Sequence, residues 1–244
     1  QDSRYYAAFA FVPILEPTDQ QEAYDMARYG FELSEKHGIP VMLRMVTRLS
    51  HSRAVVEVEK EYTEQNKLKF PEQLPQWVLM PANSKRRYVQ LLKDYDELRN
   101  VSETSPFNNY REGTDKSMGI IVSGIAANYL DELFPGGCPF PVLKISQYPL
   151  PTGLISKLVD ETDSLMVIEE GQPFIEQKMR GELNRNGVIY GKLSGQLPRT
   201  GELTPDAVRA ALLAVRPEMD SLKIAEVTPT PKIVMPRPPA LCQG

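Results

Sequence analysis

A cluster of residues that could bind a ligand lies between residues 47 and 53. The segment reads Thr47-Arg-Leu-Ser-His-Ser-Arg and directly follows an apolar run, residues 39–46, that predicts a buried strand. Ligands of open parallel sheets gather beyond the carboxyl ends of the strands, so Arg48, Ser50 and His51 form a candidate site. A loop held by its own hydrogen bonds explains the same residues, and the residues alone favour that explanation.

Three other features of the sequence could take part in chemistry. Ser123-Gly-Ile-Ala follows a predicted strand and could hold a phosphate at a helix N-terminus, but it lacks the spacing of a dinucleotide fingerprint or a P-loop. A plain strand-to-helix turn is the favoured interpretation. Glu169-Glu-Gly could supply acidic ligands or a general base, although helix capping or an interface role is commoner for such a pair. Cys138 has no partner at metal-ligand spacing.

The elements that would position these residues follow an α/β pattern. Two short apolar runs, residues 142–145 and 165–168, predict strands buried on both faces. Helical patterns begin at Thr152, a fair N-cap, and at Pro173, a residue suited to the first helical turn. Strands and helices that alternate through short connections imply right-handed crossovers and a parallel sheet.

The first part of the chain carries a similar pattern. A short strand at residues 12–17 precedes a helix that Thr18 or Asp19 caps and that Gly38 ends. A long helix is predicted from residue 83 or 84 to about residue 100.

The second part of the chain continues the alternation. Residues 101–116 are polar and rich in turn formers, which predicts a linker between two α/β domains. A strand at 118–123 and a helix follow, and a last strand is predicted at 188–193. Thr204-Pro-Asp then begins a final helix, and residues 216–244 are rich in proline.

Composition narrows the class of protein. The 244 residues carry a net charge of −4, which gives no reason to expect a nucleic acid as partner. No apolar run approaches the roughly 20 residues that span a bilayer, so no membrane association is expected. The two cysteines make a disulfide scaffold improbable and favour a cytoplasmic protein. The chain begins at Gln1 rather than Met and stops at Cys242-Gln-Gly, and we expect a piece of a longer polypeptide.

Several motifs along the whole chain resemble one family. They are Gln1-Asp-Ser-Arg-Tyr-Tyr-Ala, Glu16-Pro, Gln21-Glu-Ala-Tyr-Asp, Gly38-Ile-Pro-Val, Thr47-Arg-Leu-Ser-His-Ser-Arg, Tyr148-Pro-Leu-Pro, Val167-Ile-Glu-Glu-Gly, Gly195-Gln-Leu-Pro-Arg-Thr-Gly-Glu-Leu and Arg237-Pro-Pro-Ala-Leu-Cys. In order and spacing they resemble the large (alpha) subunits of indolepyruvate:ferredoxin oxidoreductases, which belong to the thiamine-diphosphate-dependent 2-oxoacid:ferredoxin oxidoreductases. The more distant pyruvate enzymes share an Arg-x-Ser-His sequence after the corresponding strand.

The resemblance implies an activity and its partners. Such enzymes decarboxylate arylpyruvates, transfer the acyl group to coenzyme A and pass electrons through iron–sulfur clusters to ferredoxin. They use thiamine diphosphate with Mg²⁺, and their alpha subunit works with a beta subunit.

The resemblance also implies how the chain divides into domains. Residues 1–54 would be the C-terminal part of a pyrimidine-binding domain, and residues 55–116 a connecting segment with one long helix. Residues 117–215 would form a transketolase C-terminal-like parallel α/β domain. Residues 216–244 would be a proline-rich linker that leads to an absent diphosphate-binding domain.

Some features of the family are missing from this sequence. The glutamate that contacts the cofactor pyrimidine would lie before Gln1, and the motif for diphosphate and magnesium would lie after Gly244. We therefore expect this piece alone to bind no cofactor and to be inactive. A Cys-Pro-Gly-Cys-Pro-His sequence follows the proline run in the family. Here only Cys242-Gln-Gly is present, so Cys242 is an iron–sulfur candidate only in a longer chain.

The resemblance adds Arg4 to the candidate substrate contacts. In the related pyruvate enzymes an arginine near the corresponding Gln-Asp segment holds the substrate carboxylate, and Arg4 is the nearest match. A planar guanidinium can grip a carboxylate with two hydrogen bonds. The candidates are then Arg4, Arg48, Ser50 and His51. The competing interpretations are a noncatalytic α/β module for assembly or ligand binding and a stand-alone nucleotide-binding protein.

Overall fold

The computed structural model describes residues 2–58, 77–134 and 136–180, together with positions 195, 210, 213, 214 and 217. The chain separates into two compact units, Gln1–Lys67 with Leu91–Asn184, and Leu68–Gln90 with Arg185–Gly244. The strands described below lie in the first unit. The strand predicted at 188–193, the helix predicted from Thr204 and most of the proline-rich end fall outside the described residues.

The helices and strands of the described residues are named in chain order. The helices are α1 Arg4–Ala10, α2 Gln20–His37, α3 Thr47–His51, α4 Pro81–Glu103, α5 Ala126–Leu133, α6 Thr152–Glu161 and α7 Phe174–Arg180. The strands are β1 Ile14–Leu15, β2 Met42–Leu43, β3 Asn109–Arg111, β4 Gly119–Ser123, β5 Val142–Ile145, β6 Gln147–Tyr148 and β7 Leu165–Ile168. No described helix is both long enough and apolar enough to cross a membrane.

The larger sheet confirms the predicted α/β fold with parallel strands. Its four strands lie in the order β3-β5-β4-β7, with β5, β4 and β7 mutually parallel and β3 antiparallel at one edge. In the register Ile121 lies beside both Leu143 and Val167. Burial of these apolar side chains between the helices supplies the main stabilisation of the sheet. β4 and β5 are largely buried, whereas β7 is only partly buried.

The smaller sheet joins distant parts of the chain. Its order is β2-β1-β6, with β1 parallel to β2 and antiparallel to β6. Ile14 lies opposite Tyr148, so residues before position 54 pair with a strand from the segment 117–215. The division into domains at 1–54, 55–116 and 117–215 stays a prediction.

Helix α2 begins and ends where the sequence predicts. Asp19 is the N-cap, and its Oδ1 accepts a hydrogen bond of 2.8 Å from the backbone N–H of Glu22. The Glu22 carboxylate in turn accepts from the N–H of Thr18 at 2.9 Å. Gly38 ends the helix with φ 62° and donates its N–H to Ser34, because glycine tolerates this left-handed conformation.

Three local predictions were wrong. The buried strand predicted at 39–46 is only Met42–Leu43, and its side chains are partly exposed. The predicted loop 47–53 instead contains the short helix α3, whose Leu49 is buried. The predicted linker 101–116 contains the last turn of α4 and all of β3.

Candidate functional site

Polar residues that directly follow parallel strands meet in one buried group. Glu16 follows β1, Arg44 follows β2, and Glu169 follows β7. The N-terminal segment adds an aspartate and an arginine, and β6 adds a tyrosine. We call this group the strand-end network; its members are Asp2, Arg4, Glu16, Arg44, Tyr148 and Glu169.

Arg4 is the centre of the strand-end network. Its side chain has no exposed surface, and Nε and Nη2 donate to the Asp2 carboxylate at 3.0 and 2.5 Å. Nη1 donates to Glu169 Oε2 at 2.8 Å. Nη2 also donates to the backbone carbonyls of Glu170 and Gln172, at 3.1 and 2.8 Å. The guanidinium is thus bound on every side by oxygen atoms of the protein.

Arg44 and Tyr148 hold the second carboxylate of the network. Glu16 is 1% exposed, and its Oε1 accepts from Arg44 Nη1 while its Oε2 accepts from the Tyr148 hydroxyl at 2.8 Å. Arg44 also donates to the carbonyl of Glu170 at 3.1 Å and lies 3.5 Å from Asp2 Oδ1. Because both arginines donate to the same carbonyl, the two halves of the network are linked.

The loop after β7 closes around these charges. Glu169 accepts from the N–H groups of Ile175 and Glu176 at 3.0–3.1 Å, so it caps α7 while it pairs with Arg4. A carboxylate is favoured there by the unpaired N–H groups of the first helical turn. Of the two roles considered for Glu169, general base and helix cap, its contacts support the helix cap.

Gly171 allows the loop to approach the buried aspartate. Its φ is 99°, and a Cβ at this position would lie 2.7 Å from Asp2 Oδ2 and 3.1 Å from Arg44 Nη2. The N–H of the next residue, Gln172, donates to Asp2 Oδ2 at 3.0 Å. Only glycine provides both the backbone conformation and the space.

Burial and pairing act in opposite directions on the acids of the network. Burial opposes the charge of Asp2, but the hydrogen bonds from the Arg4 side chain and backbone outweigh it and lower the pKa of Asp2 to about 2. Burial likewise opposes the charge on Arg4, yet the bond to Asp2 raises its pKa. For Glu16 burial is the larger influence and raises the pKa despite Arg44. Burial, reinforced by Glu16, also raises the pKa of Tyr148.

The motif Ser123-Gly-Ile-Ala forms a turn against the network. Gly124 has φ 50°, and a Cβ there would meet the Glu16 carboxylate at 2.7 Å. A negative charge so close to the turn would repel a phosphate. The geometry therefore supports the strand-to-helix turn over the phosphate site.

A second buried group of polar residues holds β6 in place. Asn108 Oδ1 accepts from the N–H groups of Ser146 and Gln147 at 2.8 and 2.9 Å. Its Nδ2 donates to the carbonyls of Ser102 and Gln147 at 2.9 and 3.0 Å. Ser105 donates to Gln147 Oε1 at 2.5 Å. These bonds fix the segment that carries Tyr148 into the strand-end network.

The structure separates the predicted substrate contacts. Arg4 lies inside the strand-end network, whereas Arg48, Ser50 and His51 lie on α3 with exposed side chains. The Ser50 hydroxyl donates to the carbonyl of Val46 at 3.2 Å, and the Arg48 guanidinium lies over a tyrosine ring of α5. Cys242 is outside the described residues. The substrate roles of all four residues stay predictions.

Sequence reasoning missed most of the strand-end network. Asp2, Glu16 and Arg44 were not singled out, and Tyr148 was not given a partner. The available signal was position: Glu16 and Arg44 are the first charged residues after the two short strands β1 and β2, where side chains of neighbouring parallel strands converge.

The described residues do not fit a metal or an iron–sulfur cluster. No group of three or more His, Cys, Asp or Glu side chains with suitable placement occurs in the described part of the chain. Cys138 is a free, half-buried thiol. Glu16, the buried carboxylate at a strand end, is already bound by Arg44 and Tyr148. We therefore derive no chemical step through a metal or cofactor held by these residues.

Comparison with curated proteins gives relatives along the whole chain. The chain is 36% identical to indolepyruvate oxidoreductase subunit IorA of Methanothermobacter marburgensis, over 100% of this chain and 40% of that protein. For the subunits of the same name from Archaeoglobus fulgidus and Pyrococcus horikoshii the identities are 35% and 34%, over 40% and 39% of those proteins. The chain thus spans about two fifths of the length of these relatives.

Comparison with solved structures gives a weaker likeness. A 2-oxoglutarate:ferredoxin oxidoreductase from Magnetococcus marinus, solved with 2-oxoglutarate, coenzyme A and succinyl-CoA bound, matches 70% of this chain and 37% of that chain. The TM-score is 0.49 and the identity 15%.

No protein-family model matches the chain, so the sequence relatives decide its classification. All of the relatives described carry the same subunit name, and each is matched by 99–100% of the chain. Along its whole length the chain is therefore similar to the indolepyruvate oxidoreductase IorA subunits, of which it spans about two fifths.

Proposed function

We propose that this chain forms part of an oxidoreductase that oxidatively decarboxylates arylpyruvates such as indolepyruvate. The 2-oxoacid loses its carboxylate as carbon dioxide, the thiol of coenzyme A receives the acyl group, and the electron pair leaves on ferredoxin. The observation that carries this proposal is the 36% identity to an indolepyruvate oxidoreductase subunit along the whole chain.

The cofactors of this reaction lie, in our proposal, outside the described residues. Thiamine diphosphate with Mg²⁺ would supply carbanion stabilisation, and iron–sulfur clusters would carry the electrons. A beta subunit and the rest of an IorA-type polypeptide would complete the site. A ferredoxin-linked reaction and the two cysteines of this chain together fit the cytoplasm best.

The part of the activity that we assign to this chain is positioning. The strand-end network fixes the edge of the smaller sheet to the loop 169–172 through largely buried ion pairs. Because every charge is paired within the protein, the network can hold neighbouring strand ends in one arrangement. In an α/β protein this edge is where ligands bind, so its rigidity would orient whatever occupies the site.

The predicted substrate contacts differ in how much the protein would have to rearrange for a substrate to reach them. A substrate carboxylate could reach Arg4 only by displacing Asp2 or Glu169, since both occupy its donors. Arg48 and His51 need no such rearrangement because they are exposed. Among the predicted contacts, α3 is therefore the part of this chain that a ligand can reach without breaking an ion pair.

The test uses the complete oxidoreductase that contains this chain. We expect reduction of ferredoxin that depends on both indolepyruvate and coenzyme A. The specificity constant for indolepyruvate should be much higher than that for pyruvate. Omitting coenzyme A is the control for nonspecific electron transfer. Equal rates with and without indolepyruvate would contradict the proposed activity.

A noncatalytic assembly module is the second candidate. It is favoured by one observation: the described acids and arginines of the strand-end network are used up in internal bonds. A complex that keeps its full activity after this chain is replaced by an unrelated tether would support that alternative.

A further inference from the structure

Helix α3 and the residues just after it carry basic side chains that form no ion pair with any other described residue. Arg48 and His51 are three residues apart on the helix, so they lie on one face of it. Arg53 follows two residues later. All three side chains are exposed, and among the described residues none of them forms a hydrogen bond or an ion pair. We call these three residues the α3 basic patch.

Several other surface cations of the same compact unit are paired. Arg111 binds Asp131 at 2.8 Å, and Lys116 binds Glu112 at 3.1 Å and Glu161 at 3.0 Å. Two arginines within six residues, without an ion-pair partner among the described residues, raise the local positive potential, although the chain as a whole carries a charge of −4. Such a patch attracts anions because no neighbouring carboxylate among the described residues neutralises its arginines.

Arg48 is held in a way that leaves its donors free. Its guanidinium carbon lies 5.2 Å from the centre of the Tyr129 ring, and Tyr129 belongs to the half-buried face of α5. A cation–π contact with an aromatic ring restricts the position of a guanidinium without using its N–H donors. An arginine fixed in this way can bind two oxygens of one anion with little further loss of side-chain freedom.

The base of the patch is also fixed. Leu49 is 3% exposed and anchors α3. The Ser52 hydroxyl donates to the carbonyl of Leu49 at 2.9 Å and accepts from Gln20 Nε2 at 2.5 Å. The hydroxyls of Ser50 and Ser52 both donate to backbone carbonyls. The groups that remain to bind a ligand are therefore the basic side chains.

We propose that the α3 basic patch binds a phosphate group of coenzyme A, with Arg48 as the bidentate contact, Arg53 as a second positive charge and His51 as a further hydrogen-bond donor. The inference rests on the proposed function for the identity of the coenzyme. Several exposed basic side chains suit a ligand group that carries more than one negative charge. A phosphate group carries such a charge, whereas a single carboxylate does not. Exposure also suits a nucleotide whose phosphates stay largely in water.

The first experiment measures binding to the full chain without any assay of turnover. Inorganic pyrophosphate, coenzyme A and pantetheine, which lacks phosphate, are titrated by calorimetry at low ionic strength. We expect pyrophosphate and coenzyme A to bind and pantetheine not to bind. Arg48→Gln should weaken both anions about tenfold, because it removes a charge and the bidentate contact.

Matched variants separate the stacked arginine from general charge. Lys93→Gln removes one exposed cation on α4 and should change affinity less than about twofold. Tyr129→Phe keeps the ring and should bind normally, whereas Tyr129→Leu should weaken binding severalfold. Equal effects of Arg48→Gln and Lys93→Gln, or binding of pantetheine as tight as that of coenzyme A, would overturn the proposal.

The second experiment distinguishes failure of this inference from failure of the proposed function. In the complete enzyme Arg48→Gln should raise the KM for coenzyme A about tenfold and the KM for indolepyruvate by a clearly smaller factor. An active enzyme with an unchanged KM for coenzyme A overturns the inference alone. An enzyme that does not use indolepyruvate, while Arg48 still governs pyrophosphate binding, overturns the proposed function and leaves the anion site supported.

Discussion

Replacement of Asp2 by asparagine should destabilise the first compact unit in a pH-dependent way. Asp2 is 7% exposed, and its pKa is lowered from an ordinary value of 3.8 to about 2. At about 1.4 kcal/mol for each pH unit, this difference gives about 2.4 kcal/mol of stability at neutral pH. We therefore expect Asp2→Asn to lower the free energy of unfolding by about 2–3 kcal/mol at pH 7, since Arg4 keeps only Glu169 as a charged partner.

The sign of the pH dependence follows from the lowered pKa. A carboxyl group that holds its proton less tightly when folded stabilises the protein above pH 3.8. That stabilisation is lost as the pH falls from 3.8 towards 2. The difference between the natural protein and Asp2→Asn should shrink to about 1.3 kcal/mol at pH 3 and about 0.4 kcal/mol at pH 2.

Urea unfolding at pH 7 and pH 3, followed by circular dichroism, measures this difference. Asp131→Asn is the matched control, because it breaks an ion pair with Arg111 whose aspartate side chain is 53% exposed. It should cost less than about 1 kcal/mol at either pH. If Asp2→Asn costs less than about 0.5 kcal/mol at pH 7, or costs the same at both pH values, the buried pairing is not what stabilises this edge.

Three further variants test neighbouring features. Gly171→Ala should lower the melting temperature, by a cost of about 1–3 kcal/mol, because its φ is 99°; Gly136→Ala, where no atom lies within 4 Å, should have little effect. Asn108→Ala should cost about 2–3 kcal/mol and speed hydrogen exchange at the Gln147 amide, which loses its acceptor; unchanged exchange there would contradict this role. In the complete oxidoreductase Glu170→Gln should alter subunit assembly, measured by size-exclusion chromatography, more than turnover; a large loss of turnover in an intact assembly would count against it.

The parallel core of the larger sheet was predictable because its signals are local. The runs at 142–145 and 165–168 are apolar and rich in β-branched residues, and both form strands. Asp19 and Gly38 bound α2 through bonds to near neighbours in the chain. Such signals need no knowledge of the rest of the fold.

The strand-end network was not predictable in the same way. Arg4 contacts Glu169 across 165 positions, and Glu16 contacts Tyr148 across 132. A charged residue near the start of a chain is normally exposed, and only the tertiary arrangement shows that Arg4 is buried and paired. The sequence therefore indicated an arginine suited to a carboxylate but not which carboxylates it binds.

The predicted linker shows the same limit. Ser102, Ser105 and Asn108 are polar, which suggested an exposed connection between domains. They are buried instead, because their side chains hydrogen-bond the backbone and side chain of Gln147. Composition alone does not distinguish a polar segment in water from one whose polar groups are satisfied inside the protein.

The pairing of β1 with β6 also affects how the protein emerges from the ribosome. Ile14 cannot meet Tyr148 until about 130 further residues have been added. At synthesis rates of roughly 5–20 residues per second that delay is about 7–27 s. For this interval the apolar side of β1 and the Glu16 carboxyl group lack Tyr148, and Arg4 lacks Glu169, so this edge of the protein is completed only late in synthesis.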